Sequence, residues 1–219
     1  MQHGVARVGV FGGTFDPIHA GHVAAAVGVR TALSLERVLL VVANMPWQKV
    51  GGERQLPVTP AADRYAMVAA TAEELEGIEA SRIEIDRGGA SYTVDTVAEL
   101  AELYPGADLF VVVGADVAAS LGTWERADEL KKTARLVVVD RPGAAFAAPV
   151  AGRDGFEGPD LVKSLVRDGW CARRVAIPLV EVSSTELRAR LATGDDVGAL
   201  VPAPAIRIIQ SRGLYAECR

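Results

Sequence analysis

The sequence predicts an α/β fold built on an open parallel sheet with helices on both faces. Short apolar runs recur along the 219-residue chain, and none of them alternates with polar residues. Continuous apolar runs of this length are typical of strands that are buried on both faces. Segments with helical spacing lie between the runs, and alternation of strand and helix is the pattern of a parallel sheet covered on both sides.

Each element follows from its own stretch of sequence. Strands are predicted, in chain order, at Val8–Phe11, Val38–Val42, Leu109–Val113, Leu136–Val139 and Val175–Ile177. Helices are predicted at about 22–33, 61–75, 93–103 and 183–192, with a shorter one at about 161–167. Four Gly and three Pro fall within residues 141–160. We therefore expect a single domain over 1–219, with a long loop at about 141–174 and a small C-terminal helical part at about 183–219.

Composition excludes several classes of protein. With 23 basic and 28 acidic residues the net charge is −5, which argues against a nucleic-acid binder. No segment approaches the roughly 20 apolar residues needed to cross a bilayer, so we expect no membrane anchor. Cys171 and Cys218 form neither a metal-ligand spacing nor a disulfide framework, which favours a cytoplasmic protein. A homo-oligomer is left open.

The first predicted strand runs into the turn G-G-T-F-D-P-I-H-A-G-H, residues 12–22, and a helix follows. A glycine-rich turn that leads into a helix N-terminus favours phosphate, since exposed N–H groups and the helix dipole attract anions. Gly12 and Gly13 allow a phosphate to approach the backbone closely. The turn matches neither the dinucleotide fingerprint nor the P-loop. Instead it carries His19 and His22, three residues apart and facing the same way on a first helical turn.

Two alternative chemistries lack support around these histidines. A zinc site needs a third ligand within reach, and no H-E-x-x-H element or cysteine pair supplies one. A hydrolase triad needs an activated nucleophile, and neither Cys171 nor Ser183 lies in such a signature. Two surface histidines near a helix start are the plainer interpretation of the pair.

A second helix start follows the last predicted strand. Ser183 and Glu186 stand in capping-box register, so an ordinary helix cap is one interpretation. Hydroxyl and N–H groups at the same helix start could also hold phosphates, with Arg188 one turn further on as a planar cationic clamp. Arg190 is expected to be solvated surface.

Both strings resemble one known superfamily. Residues 12–22 resemble the G-G-T-F-D-P-x-H-x-G-H signature of the nucleotidylyltransferases, and residues 182–188 resemble their I-S-S-T-x-I-R element. The resemblance implies a Rossmann-like nucleotidylyltransferase fold and catalytic roles for His19, His22 and Arg188. It implies that ATP is bound by Gly12, Gly13, Thr14, Phe15, His19, His22, Gly114, Asp116, Ser183, Ser184, Thr185 and Arg188.

Three segments in the middle of the chain bear on which molecule accepts the nucleotidyl group. Residues 44–49 resemble a Pro-rich loop of family members that adenylylate nicotinate mononucleotide, with Trp47-Gln48 where many have Pro-His. Residues 91–96 resemble the S-Y-T-x-D-T element of the bacterial nicotinate mononucleotide adenylyltransferases. Trp124 has the position of their nicotinate-stacking aromatic. The acceptor contacts implied by the resemblance are Thr14, Lys49, Thr93 and Trp124. A solvated lysine, a helix cap and a packing tryptophan are the plainer interpretations.

The resemblance implies transfer of AMP from ATP to nicotinate mononucleotide, which gives deamido-NAD and pyrophosphate in NAD biosynthesis. Mg²⁺ is expected through phosphates and water, near Asp116. A phosphopantetheine adenylyltransferase-like enzyme is one alternative, although it should lack the 91–96 string and Trp124. A catalytically silent nucleotide-binding regulator on the same fold is another, and release of pyrophosphate distinguishes it from an enzyme.

Overall fold

A computed structural model of the chain describes residues 5–45, 58–140, 159–178 and 180–216. Its strands are β1 Arg7–Gly13, β2 Arg37–Val42, β3 Ile78–Ser81, β4 Asp108–Gly114, β5 Arg135–Asp140 and β6 Ala172–Ala176. They form one six-stranded sheet in the order β3-β2-β1-β4-β5-β6. Every neighbouring pair is parallel. The predicted fold class is confirmed.

Helices connect the strands and follow the last one. They are α1 Ala20–Ala32, α2 Ala61–Ala72, α3 Ile83–Arg87, α4 Thr93–Leu103, α5 Ala115–Ala118, α6 Ala127–Thr133, α7 Pro159–Arg167, α8 Ser184–Thr193 and α9 Ala203–Arg212. A short 3-10 turn spans Leu121–Thr123. Among the described residues, every helix is too short or too polar to span a bilayer.

The core is divided into two layers by the sheet, as its uninterrupted apolar strands require. One layer contains side chains of α1, α2, α8 and α9 against one face of the sheet. The other contains side chains of α4, α5, α6 and α7 against the opposite face. Consecutive residues of β5 alternate between the layers, with Val137 in the first and Val138 in the second. Both faces of the central strands are thereby buried.

Two sequence predictions need correction. The strand β3 was missed, because a four-residue edge strand with Glu79 and Ser81 carries no continuous apolar run. The segment expected to be a long loop at about 141–174 contains α7, which begins at Pro159, and β6, which begins at Ala172. Residues 141–158 lie outside the described residues. The predicted 161–167 helix is confirmed. The strand that follows this helix, predicted at Val175–Ile177, is β6, and it starts three residues earlier, at Ala172. Its start was missed because Arg173 and Arg174 are exposed and interrupt the apolar pattern.

Candidate active site

The site lies where the order of strands reverses. The chain places β2 and β3 on one side of β1, and β4, β5 and β6 on the other. The register pairs Val10 of β1 with Val111 of β4, and these strands end at Gly13 and Gly114. In open parallel sheets ligands bind at this switch point, beyond the carboxyl ends of the strands. Residues 12–22 and 114–116 both leave the sheet there.

The two histidines of the first turn form one stacked unit. His19 is the N-cap residue of α1 and is only 4% exposed. The His19 and His22 rings stack with centroids 3.7 Å apart and planes 21° from parallel. The backbone N–H of His19 donates a hydrogen bond to Nδ1 of His22 over 3.3 Å. Because Nδ1 of His22 accepts, its neutral imidazole carries the proton on Nε2, which makes Nε2 a donor.

The rings of two phenylalanines, Phe11 and Phe15, contact the His22 ring. The Phe15 and His22 rings meet edge to face with centroids 4.9 Å apart, and Phe11 lies 6.1 Å from His22. Phe15 is 1% exposed, so its side chain supports the histidine and offers no open surface to a ligand. A Cβ on Gly13 would stand 2.8 Å from the Phe15 ring, whereas one on Gly12 would meet nothing within 4 Å. Gly13 thus makes room for Phe15, and Gly12 keeps the backbone open.

The expected row of exposed N–H groups at the start of α1 is corrected by the structure. The N–H of Ala20 donates to the carbonyl of Leu200 over 2.8 Å, and that of His22 donates to the carbonyl of His19 over 2.9 Å. Two N–H groups of the first turn are therefore already engaged. The imidazoles of His19 and His22 lie at the same helix start.

The second motif contacts the first one directly. The Ser183 hydroxyl accepts a hydrogen bond from the Glu186 N–H over 3.2 Å, so the predicted cap is confirmed. The Ser184 hydroxyl donates to the carbonyl of Pro17 over 3.3 Å. Arg188 donates through Nη1 to the carbonyl of Asp16 over 2.7 Å and through Nη2 to the Thr185 hydroxyl over 3.3 Å. Elements from opposite ends of the chain are thus joined at one site.

Close packing at Gly21 completes this junction. A Cβ at that position would lie 3.2 Å from the His19 ring and 3.3 Å from Cγ1 of Val182. Both contacts are tighter than ordinary van der Waals packing. The glycine between the two histidines therefore allows the segment that begins the second motif to approach the first.

A buried polar network beneath the turn was missed by sequence reasoning. Asp16 is 2% exposed, and its carboxylate accepts hydrogen bonds from the Tyr215 hydroxyl over 2.6 Å and the Thr59 N–H over 3.2 Å. Arg64 is 1% exposed and donates to the carbonyls of Thr59, Thr14 and Asn44 over 2.7, 2.8 and 3.2 Å. Of the side chains in it, only that of Asp16 lies in a motif that the sequence analysis singled out, the string at residues 12–22.

Burial and charge act on this network in opposite directions. Desolvation lowers the pKa of Arg64, and the neighbouring Asp16 carboxylate opposes that shift. Burial, and then the hydrogen bond to Asp16, raise the pKa of Tyr215 well above its usual value. Tyr215 therefore stays a neutral donor at all physiological pH values, and Arg64 stays a cation.

A second set of contacts forms on the β2 side of the switch point. The Asn44 N–H donates to the Ser91 hydroxyl over 2.9 Å, and the Asn44 side chain donates to the carbonyl of Gly89 over 3.0 Å. These bonds hold the segment after β2 against the start of α4. Thr93 is the first residue of α4, and first-turn N–H groups have no carbonyl within the helix to bond. Lys49 and Trp47 lie outside the described residues.

Trp124 is half-buried beside the same helix start. In the part of the chain that the structure describes, its buried Nε1 atom has no hydrogen-bond partner. Its ring packs on the core layer that includes Val97 and Leu121. An ion pair between Arg126 and Asp95 ties the first turn of α4 to the segment directly after Trp124. The tryptophan is thus both a packing residue and a neighbour of the Thr93 segment.

The end of β4 supplies one free carboxylate for a cation. Gly114 is the N-cap of α5, and a Cβ there would stand 2.5 Å from Oδ1 of Asp116, whose side chain is exposed. Among the described residues, no three or more His, Cys, Asp and Glu side chains cluster as a metal site would require. This donor set fits Mg²⁺ that is held mainly by substrate phosphates, with a single carboxylate as protein ligand.

The fold and the site define a class: an α/β protein with an open parallel sheet, in which a histidine pair and an arginine-bearing helix start meet at the switch point. The model of the cytidylyltransferase-like family matches residues 10–190. The chain belongs to that family.

Relatives cover nearly the whole chain. A Saccharopolyspora erythraea protein named "Probable nicotinate-nucleotide adenylyltransferase" is 40% identical over 95% of this chain and 89% of its own length. Proteins of the same name from Streptomyces coelicolor and Thermus thermophilus are 41% and 40% identical, over 93% and 95% of this chain and 98% and 99% of their own lengths. Plasmodium falciparum nicotinic acid mononucleotide adenylyltransferase complexed with NaAD shares the fold, with a TM-score of 0.72 at 17% identity over 96% of this chain and 97% of its own.

Proposed function

We infer that this chain transfers the adenylyl group of ATP to nicotinate mononucleotide, with deamido-NAD and pyrophosphate as products. One observation carries the inference: the histidine turn and the Ser183–Arg188 helix start contact each other at Asp16 and Pro17, as a triphosphate site requires. The nicotinate-nucleotide adenylyltransferase relatives, similar over nearly their full length, support the choice of acceptor.

The reaction is a direct displacement. An oxygen of the acceptor's 5′-phosphate attacks the α-phosphorus of ATP, and the bond from that phosphorus to the bridging oxygen of the β-phosphate breaks. Pyrophosphate leaves with the bonding electrons. Since a phosphate monoester has a second pKa of about 6, the attacking group is already mostly a dianion at neutral pH. The protein needs no general base, and its work is positioning and charge stabilisation.

The histidine turn supplies donors for the ATP phosphates. His22 presents Nε2–H, because its Nδ1 is occupied by the N–H of His19. Stacking on His19 and edge contact with Phe15 hold that donor in one orientation before substrate binds. Preorganised donors cost no reorganisation when charge grows on the phosphate oxygens, which is the basis of transition-state stabilisation at such sites.

The negative charge on the departing pyrophosphate is stabilised by groups at the start of α8. Arg188 uses one N–H on Asp16 and another on Thr185, and the rest of its five donors are left for pyrophosphate oxygens. Thr185 and Ser183 expose their side chains at the same helix start. Asp116 would hold Mg²⁺ beside the phosphates. The ion supplies charge neutralisation when bound.

The acceptor is predicted to be selected through its carboxylate. The Thr93 N–H at the start of α4 favours a carboxylate oxygen, whereas a carboxamide can turn its own donors towards it. We expect at least a tenfold higher kcat/KM for nicotinate than for nicotinamide mononucleotide, equivalent to about 1.4 kcal/mol. Steady-state pyrophosphate release with each acceptor measures the ratio. Equal values would contradict the Thr93 assignment, and no release with either acceptor would contradict the function itself.

Stacking by Trp124 predicts a second, separable effect. Replacing Trp124 by Ala should raise the KM for nicotinate mononucleotide about tenfold, since base–aromatic stacking contributes roughly 1–3 kcal/mol. The KM for ATP should stay within twofold, and Trp124→Phe should recover much of the loss because it keeps a π face.

Trp170 offers the matched control for this test. It is a buried tryptophan of the layer around β6, so Trp170→Phe should alter stability without changing either KM. Equal losses of affinity for both substrates in Trp124→Ala would show that Trp124 acts in packing alone.

The remaining expectations belong to the same proposal. We assign ATP and nicotinate mononucleotide as the partners, and we expect neither nucleic acid nor a membrane among them. We also expect the protein to act in the cytoplasm, where ATP is available. The number of subunits is open to measurement by light scattering.

A further inference from the structure

Arg64 is a charged side chain buried inside the protein. It lies in the first turns of α2, 1% exposed, and all three of its described hydrogen bonds go to backbone carbonyls. Those carbonyls belong to three separate segments: Thr14 after β1, Asn44 after β2, and Thr59 just before α2. One guanidinium therefore ties together the ends of two neighbouring strands.

The burial of a charged side chain such as Arg64 is not explained by a gain in stability of the fold. Removing a guanidinium from water is energetically costly, and apolar side chains of similar volume often stabilise a core equally well or better. The charge is compensated by Asp16, which the Tyr215 hydroxyl and the Thr59 N–H hold in place. The planar fork of a guanidinium bonds several carbonyls in fixed directions, so this arrangement can specify the geometry of the segments it joins.

The bonds of Arg64 continue into both substrate regions. Thr14 belongs to the glycine-rich turn that carries the histidines. Asn44 is bonded in turn to Ser91 and Gly89, directly before the helix start at Thr93. A continuous hydrogen-bonded path thus runs from the turn at residues 12–22, here called the ATP turn, through Arg64 to residues 89–93, here called the acceptor segment.

We propose that Arg64 is a positioning residue that sets the separation of the ATP turn and the acceptor segment, so that the acceptor phosphate lies in line with the α-phosphorus. The proposal rests on the adenylyl transfer inferred above. It assigns to Arg64 an effect on the chemical step and only a small effect on the binding of either substrate alone. A misplacement of about 1 Å between reacting groups can cost 10²-fold in rate.

The decisive variant is Arg64→Lys, which keeps the charge and loses the fork. A lysine ammonium has no planar pair of donors with which to reproduce the three carbonyl bonds. We expect the single-turnover rate with both substrates saturating to fall about 10²-fold. Dissociation constants for nicotinate mononucleotide alone and for a non-hydrolysable ATP analogue alone, measured by calorimetry, should change less than threefold.

Arg30→Lys is the matched control. Unlike the buried Arg64, Arg30 is half-buried; it lies in the last turn of α1, at the end opposite the histidines, where it packs on Gly77 and pairs with Glu76. Its replacement should change the melting temperature and leave the single-turnover rate within twofold. A purely structural role for Arg64 predicts that the two variants behave alike.

Each outcome decides the question. A rate within threefold of the wild type in folded Arg64→Lys overturns the proposal, as does a loss that appears equally in both dissociation constants and not in the rate. If Arg64→Lys fails to fold by circular dichroism, Tyr215→Phe, which removes one bond to Asp16 and keeps the ring, is measured instead. A lowered rate at unchanged affinity then supports the proposal, and an unchanged rate overturns it. An inactive wild type would instead contradict the proposed function.

Discussion

Replacing His22 by Ala should lower kcat by about 10²–10³, the loss typical of one oxyanion-type donor and equivalent to about 2.7–4 kcal/mol. The donor is Nε2–H, fixed by the hydrogen bond that Nδ1 accepts from His19. Because the charge on the α-phosphate oxygens grows only as pyrophosphate leaves, the loss should fall on kcat more than on either KM.

Two amide variants make the His22 test sharper. The amide nitrogen of Gln can occupy the place of Nε2, whereas that of Asn reaches only the place of Nδ1. We therefore expect His22→Gln to recover part of kcat and His22→Asn to resemble His22→Ala. Steady-state kinetics with both substrates saturating gives the order. A kcat within threefold of the wild type in His22→Ala would show that His22 is not a catalytic donor.

The fold was predictable where burial leaves a continuous apolar pattern. The strands β1, β2, β4 and β5 are buried on both faces, and their apolar runs marked them within a few residues. The edge strands were harder, because β3 is short and polar and β6 exposes two arginines. An edge strand contacts a neighbour on one side only, so its sequence is less constrained by packing.

Parts of the candidate site were predictable for a different reason. The histidine turn and the Ser183–Arg188 segment carry their chemistry in consecutive residues, so each could be read locally. The bonds that Leu200 makes to Ala20, and Arg64 to Thr14, join residues far apart in the chain. A periodic pattern in the sequence does not predict such long-range hydrogen bonds. Arg64 lies in an ordinary helical stretch, and only the structure shows that its charge is buried.

Among the residues of the second motif, Arg188 is predicted to cause the largest loss of kcat when it is replaced. Its guanidinium bridges Asp16 and Thr185 and thereby sits between the two motifs that would hold the triphosphate. Arg188→Ala removes a donor to departing pyrophosphate and leaves the Asp16 carbonyl without this bond. We expect kcat to fall about 10²-fold or more, as for other donors to developing charge.

Lysine at the same position separates charge from geometry. A lysine ammonium is a compact point charge, so Arg188→Lys cannot bond the Asp16 carbonyl and two phosphate oxygens in the arginine's plane. It should therefore recover less than a tenth of the wild-type kcat, a deficit of about 1.4 kcal/mol or more. Arg190→Ala, two residues along the same helix and bonded to the carbonyl of Asp196, is the matched control and should stay within twofold. Pyrophosphate release under saturating substrates measures all three variants. Full activity in Arg188→Lys would mean that positive charge alone suffices there, and near-normal activity in Arg188→Ala would limit Arg188 to joining the two motifs.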